Sequence, residues 1–142
     1  ASVLTLTLGD MAAFQVTAGG RSREVLRLEE TVERAVGAGD ETVDVTEVIY
    51  SCNGRVLDGP AVEDWLRSLA DLTAEDPSPT GEGRQTLLTV TFRWKDQESP
   101  PIELELRSYD SAHDLCVVGG DRYLLVSRTA AEAVIAAAEI FV

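Results

Sequence analysis

The chain has 142 residues, and 25 acidic side chains against 12 lysine and arginine side chains give it a net charge of −13. This charge argues against nucleic acid as a partner, because phosphate binding needs a concentrated basic patch, and against adsorption to anionic lipid. No run approaches the roughly 18 consecutive apolar residues of a membrane span, and the chain opens directly on an alternating run, so we expect neither a spanning helix nor a signal peptide.

Residues 1–76 predict strands followed by one helix. The stretches VLTLTL, AFQVT and REVLRLEE each predict a strand, and residues 31–41 predict a loop or a short helical turn. TVDVTEVIYSC predicts a strand with a bulge, because its apolar phase changes between Val45 and Val48. DGPAVEDWLRSLADL predicts a helix capped by Asp58 or Gly59. Its predicted buried stripe consists of Val62, Trp65, Leu66, Leu69 and Leu72.

Residues 84–142 predict four strands and a second helix. LLTVTFRW and IELELR alternate strictly between apolar and polar residues, and LCVV and RYLLVS follow, joined by a Gly-Gly-Asp turn. The helix over SRTAAEAVIAAAEIFV has capping-box spacing between Thr129 and Glu132. The Pro-, Gly- and acid-rich stretch at 73–83 predicts a linker.

The order of elements predicts an α+β fold in which antiparallel sheets are each followed by a helix. We expect a single domain over 1–142, made of two β-sheet/helix halves at 1–76 and 84–142. The second half would contain a four-stranded C-terminal meander.

The one histidine of the chain, His113, lies between Asp110 and Asp114 in the turn between the second and third meander strands. Two ligands are too few for a metal site, and no nucleophile, phosphate-loop or dinucleotide motif accompanies them. We therefore predict a non-enzyme without metal or cofactor. The loop formed by Tyr109, Asp110 and His113 is interpreted as a turn and as a candidate contact loop.

Cys52 and Cys116 lie far apart, and no Cys-x-x-Cys motif is present. From the residues alone they fit free buried thiols, or a disulfide if the domain is extracytoplasmic. The acidic group of Glu29, Glu30 and Glu33 lacks the spacing of a calcium loop, which favours a solvated edge.

Three stretches of the chain resemble the bacterial domain-of-unknown-function family 4340. LGDMAAFQVTAGG with EVLRLEE is similar to its opening turn, hairpin and strand, and GPAVEDWLRSLADLTAED is similar to its helix. Residues 87–135 are similar to its closing meander and last helix. The resemblance implies an outward-facing domain, membrane-anchored in the full-length protein through a segment outside this chain, and associated with ABC-transporter components of the gliding-motility type. It assigns no catalytic residue, and an outward location would favour a Cys52–Cys116 disulfide.

Three functions follow as hypotheses. The first is a non-catalytic extracytoplasmic domain that binds or scaffolds a protein partner in a membrane-associated, transporter-linked complex. The second is a small-ligand sensor or carrier with an apolar pocket between sheet and helix. The third is a hydrolase that uses His113. The sequence leaves the oligomeric state open.

Overall fold

The computed structural model describes residues 2–75 and 79–141, which form one eight-stranded antiparallel sheet with two helices. In chain order the elements are β1 (Met11–Ala18), β2 (Arg21–Ala35), β3 (Thr42–Cys52), β4 (Arg55–Val56), α1 (Gly59–Ala70), β5 (Thr86–Trp94), β6 (Ile102–Ser108), β7 (His113–Val118), β8 (Arg122–Ser127) and α2 (Arg128–Ala137). The strand order across the sheet is β4-β3-β2-β1-β5-β6-β7-β8.

The predicted division into two sheet-and-helix halves is wrong. Strands make up 49 % of the described residues and helices 20 %, so the fold is predominantly β. β1 pairs with β5, and this pairing places Phe14 opposite Phe92 and Val16 opposite Val90. Both strands carry a row of apolar side chains that gains burial from a neighbouring row, so the two halves join into one continuous sheet.

The second half follows its predicted elements closely. β5 to β8 are the predicted meander, and each strand pairs with the next in antiparallel register. The cap of α2 differs from the prediction: the Ser127 side chain accepts a hydrogen bond from the backbone N–H of Ala130, and Thr129 lies inside the helix. Ser127 takes this role because it is the last extended residue of β8 and stands three residues before a free helical N–H.

Three predictions in the first half are wrong. VLTLTL forms no strand; the N–H of Val3 bonds the carbonyl of Leu72, and this segment lies alongside the end of α1. Residues 31–35 are the continuation of β2 rather than a loop. The β2–β3 register runs without a break from Val25 opposite Cys52 to Ala35 opposite Thr42, so β3 has no bulge. The change of apolar phase in β3 arises because this strand carries apolar side chains on both of its faces.

The core lies between one face of the sheet and the two helices. Trp65 of α1 stacks on Phe14 with ring centroids 5.9 Å apart and meets Phe141, which follows α2, at 4.8 Å. The predicted stripe of α1 is buried as expected. Asp58 caps this helix by accepting a hydrogen bond from the N–H of Ala61.

The opposite face of the sheet is largely polar on β1, β5 and β6. Its covered part is a small cluster of Leu115, Val117 and Leu125 on β7 and β8. The described part of the predicted linker, residues 73–75 and 79–83, lies along this end of the sheet, where the N–H of Glu75 bonds the carbonyl of Leu125. Residues 76–78 of that linker lie outside the described part of the chain.

Candidate functional site

The β2–β3 hairpin extends beyond the rest of the sheet as a two-stranded ribbon, residues 28–49, which we call the arm. β1 accompanies β2 only as far as Leu26, and β4 accompanies β3 only at Ser51 and Cys52. Beyond these points the two strands pair only with each other among the described residues. The eight residues from Leu28 to Ala35 span about 26 Å at the usual rise per residue of a strand.

The two faces of the arm differ in composition because side chains alternate along each strand. The outer face points away from the helices, and the inner face continues the helix-covered face of the sheet. The register assigns to the outer face Leu28, Glu30, Val32, Arg34, Val43, Val45, Glu47 and Ile49. The inner face beyond the core carries mostly polar residues, namely Glu29, Thr31, Glu33, Ala35, Thr42, Asp44, Thr46 and Val48.

The outer face exposes apolar side chains to solvent. Leu28 is 49 % exposed, Val43 is 50 % exposed and Val45 is 38 % exposed. Leu26, at the base of the arm and on the same face, is 42 % exposed. Scattered exposed apolar residues are ordinary, but a row of them on one face of a projecting element is typical of an interaction surface.

A pair of glutamates interrupts this apolar row. Glu30 lies directly opposite Glu47. The neighbouring cross-strand pairs on the same face are apolar, namely Leu28 with Ile49 and Val32 with Val45. Arg34 forms an ion pair with Glu47, whereas Glu30 has no ion pair within the described residues. Like charges directly opposite each other on one face of a sheet are destabilising. An added cation between Glu30 and Glu47 would therefore stabilise this part of the arm.

The base of the arm is fixed to the domain by polar contacts on the inner side. Buried Arg27 donates to the Tyr50 hydroxyl at 3.2 Å and to Glu29 at 2.6 Å, and Tyr50 donates to Glu63 of α1 at 2.9 Å. Lys95 also donates to Glu29, and these hydrogen bonds lower the pKa of that carboxyl. The arm therefore leaves the domain in a defined direction.

Of the predicted contact loop, Tyr109 and Asp110 lie between β6 and β7, whereas His113 is the first residue of β7 rather than part of the turn. The side chains of Tyr109 and His113 contact the segment that follows α1. Asp110 accepts backbone hydrogen bonds from Ala112 and His113, which lowers the pKa of its carboxyl. The Tyr109 hydroxyl bonds Thr80. Nε2 of His113 lies 3.2 Å from Glu75, and its Nδ1 lies 3.3 Å from Asp110.

These contacts fasten Glu75 and Thr80 to the loop and to the start of β7. Asp114, the next residue along β7, pairs with Val126 at a core position, so alternation directs its side chain away from that of His113. Within residues 2–75 and 79–141, no group of three His, Cys, Asp or Glu side chains is arranged to hold a metal ion. Each ring nitrogen of His113 has a carboxylate neighbour, and Ser127, which lies opposite His113 in the sheet, uses its side chain to cap α2.

Cys52 and Cys116 are both free and buried, so the candidate disulfide between them is absent from the structure. Cys52 is on β3 and Cys116 is on β7, with four strands between them in the sheet. Five strand spacings amount to about 24 Å along the sheet, whereas a disulfide needs Cα atoms within about 7 Å. Burial raises the pKa of the Cys116 thiol to about 12.

A surface groove with a volume of about 630 Å³ lies at an edge of the domain. It is lined by the segment before β1 and by the β5–β6 turn, including Thr5, Asp10, Trp94 and Ile102. Neither helix contributes to it. The space between sheet and helices is occupied by the side chains of the core.

The arm is the feature that the sequence predictions missed. Its signal was the change of apolar phase in TVDVTEVIYSC, which indicates apolar residues on both faces of a strand rather than a bulge. No helix within the described residues is long and apolar enough to cross a bilayer. No family model, curated protein or solved structure matches the chain. The resemblance to family 4340 therefore stays a prediction.

Proposed function

We propose that this chain is a non-catalytic protein-binding domain whose binding surface is the outer face of the arm. The proposal includes the location that the resemblance implies, an extracytoplasmic, membrane-associated complex. The observation that carries the binding role is the exposed apolar row on a ribbon that pairs with nothing else in the described chain. An isolated two-stranded ribbon is only marginally stable in water, so a partner that covers its apolar face stabilises it.

Within the described residues, no further strand pairs with either edge of the arm. Such edges are usually shortened, twisted or covered, because they pair with other chains. Here the edges continue for most of the length of Leu28 to Ala35, and many acidic side chains line them. Acidic side chains discourage pairing between copies of the same chain while leaving the edge open to a different partner.

The alternative, a small-ligand carrier, has less support. It requires an apolar pocket between sheet and helix, and the aromatic and aliphatic core fills that space. The groove beside Trp94 offers both polar and apolar lining, but it lies at the edge of the domain. The hydrolase hypothesis needs an available nucleophile near His113. Ser127 lies opposite His113 in the sheet, but its side chain caps α2, and the His113 ring lies beside Glu75 and Asp110.

A shortened-arm variant tests the proposal. Glu29 and Val48 lie opposite each other, so an Asn-Gly turn placed between them closes the hairpin and removes residues 30–47. We expect the urea midpoint of the remaining domain to stay close to that of the full chain, while proteins that copurify from the source cells with the full chain are lost. Unfolding of the variant, or unchanged copurification, would overturn the proposal.

A matched pair of substitutions separates the two faces. The double variant Leu28→Ser with Val45→Ser alters the outer face. The double variant Thr31→Ser with Thr46→Ser alters a cross-strand pair on the inner face. The proposal expects the first pair to reduce copurification and the second pair to leave it unchanged.

A further inference from the structure

The charge of the arm indicates what kind of partner it fits. Between residues 28 and 48 the chain has seven acidic side chains and one basic side chain, a net charge of −6. Within the described residues, Glu29 and Glu47 have basic partners, and Glu30, Glu33 and Asp44 have none. The outer face therefore combines apolar cross-strand pairs with the Glu30–Glu47 pair. In this pair Glu47 has a basic partner, and Glu30 has none within the described residues.

We propose that the outer face of the arm binds a segment of another protein in which a lysine or arginine is flanked on both sides by apolar side chains. This inference rests on the proposed function and specifies its partner. The cation would lie between Glu30 and Glu47, and the flanking apolar groups would cover Leu28 with Ile49 and Val32 with Val45. Successive side chains on one face of a strand are about 6.6 Å apart. The partner's basic side chain and its two flanking apolar side chains therefore need the same spacing.

Two energetic effects favour this partner. The basic side chain relieves the repulsion between Glu30 and Glu47, and a charge-assisted hydrogen bond to a carboxylate is stronger than a neutral one. The apolar groups remove Leu28 and Val45 from water, which contributes in proportion to the buried area. An acidic partner segment would instead add to the repulsion between Glu30 and Glu47, and it would offer no cation for a charge-assisted hydrogen bond.

A second copy of this chain fits the surface poorly. Pairing two arms through their outer faces would bring Glu30 and Glu47 of one copy against the same residues of the other. Each copy also carries a net charge of −13, which opposes close approach. The same charges disfavour nucleic acid and anionic lipid as occupants.

The test uses two preorganised peptides and the full chain. Each is a backbone-cyclised hairpin with valine, a charged residue and valine at alternate positions of its strands, and the charged residue is lysine in one peptide and glutamate in the other. Amide chemical shifts of the isotope-labelled chain are followed by NMR up to millimolar peptide. We expect the lysine peptide to shift the amides of residues 28–32 and 45–49 and to bind at least five-fold more tightly than the glutamate peptide.

Matched variants locate the charge effect. Glu30→Gln should weaken binding of the lysine peptide several-fold, and Glu33→Gln, which removes the same charge from the inner face, should leave it unchanged. Equal binding of the two peptides, shifts confined to residues outside 28–32 and 45–49, or no shifts at millimolar peptide would overturn the basic-partner inference.

Those outcomes leave the arm's binding role to be decided by the shortened-arm variant, so the two proposals fail separately. Sedimentation of the free chain tests whether a second copy of the chain, rather than another protein, occupies the outer face. A dimer that Leu28→Ser with Val45→Ser dissociates would show that a second copy, rather than a basic partner, covers the arm.

Discussion

The indole Nε1 of Trp65 donates a hydrogen bond to the carbonyl oxygen of Val134 at 2.9 Å, and this bond joins α1 to α2 across the core. The same indole packs against Phe14 of the sheet and against Phe141. One side chain thus connects the sheet and both helices. It holds together the domain from which the arm projects.

We predict that Trp65→Ala lowers the free energy of unfolding by about 3–5 kcal/mol, because it leaves a cavity at the centre of the core and removes the hydrogen bond. Trp94→Ala is the matched control, since Trp94 is only partly buried and bonds Pro100 near the surface. Urea denaturation of both variants checks the difference. An equal loss at the two positions would contradict the central role of Trp65.

Asp114 predicts a specific dependence of stability on pH. Its side chain is buried, its Oδ2 has no hydrogen-bond partner, and desolvation raises the pKa of its carboxyl above the usual 3.8. The folded state therefore binds this proton more tightly than the unfolded state. Stability from this group is full below about pH 3.8 and is lost as the pH rises through the folded-state pKa.

Asp114→Asn should remove that loss and raise the free energy of unfolding at neutral pH relative to the parent chain. Asp121→Asn serves as the control because it removes the same charge at an exposed position. Urea unfolding of both variants from pH 3 to pH 7 measures the effect. A stability difference between Asp114→Asn and the parent that does not grow with pH would refute the assignment.

His113 and Glu75 predict a local effect rather than a global one. The contact between their side chains lies beside the hydrogen bond from the Glu75 N–H to Leu125, which holds this segment against β8. His113→Ala should accelerate hydrogen exchange at the Glu75 amide while changing global stability by less than about 1 kcal/mol. Glu82→Gln, an exposed change in the same segment, should leave that exchange rate unaltered. Unchanged exchange in His113→Ala would argue against the fastening role.

The two cysteines should behave as protected thiols. Both are buried, and burial raises the pKa of Cys116 to about 12, so little thiolate is available at neutral pH. Iodoacetamide should modify neither residue in the folded chain and both residues in urea. The mass of the intact chain measures this modification. Rapid labelling of the native protein, or a mass two hydrogens lower without reductant, would contradict the structure.

The sequence predicted those elements whose pattern is local. The meander, the stripe of α1 and the Asp58 cap depend on alternation, helical spacing and a capping residue, and each of these can be read within a few positions. The pairing of β1 with β5 depends on which strands meet in space. Phe92 follows Phe14 by 78 positions in the sequence, and no local pattern specifies that contact.

The arm was missed for a related reason. Alternation identifies a strand by assuming one buried face, whereas the apolar outer face at Val43 and Val45 is exposed and the core contacts at Tyr50 and Cys52 lie on the other face. Two apolar rows on opposite faces of one strand were interpreted as a bulge. A surface that is apolar for binding rather than for folding produces this ambiguity, because the pattern alone does not distinguish its purpose.

Site-specific photo-crosslinking in source cells tests the central claim most directly. A photoreactive p-benzoylphenylalanine is placed at Leu28 or Val45 on the outer face, and at Thr31 or Thr46 on the inner face of the same arm. If the outer face is the binding surface, one protein should be crosslinked from Leu28 and Val45, and little or none from Thr31 and Thr46. Equal yields from both faces, or no adduct from the outer face, would contradict the claim.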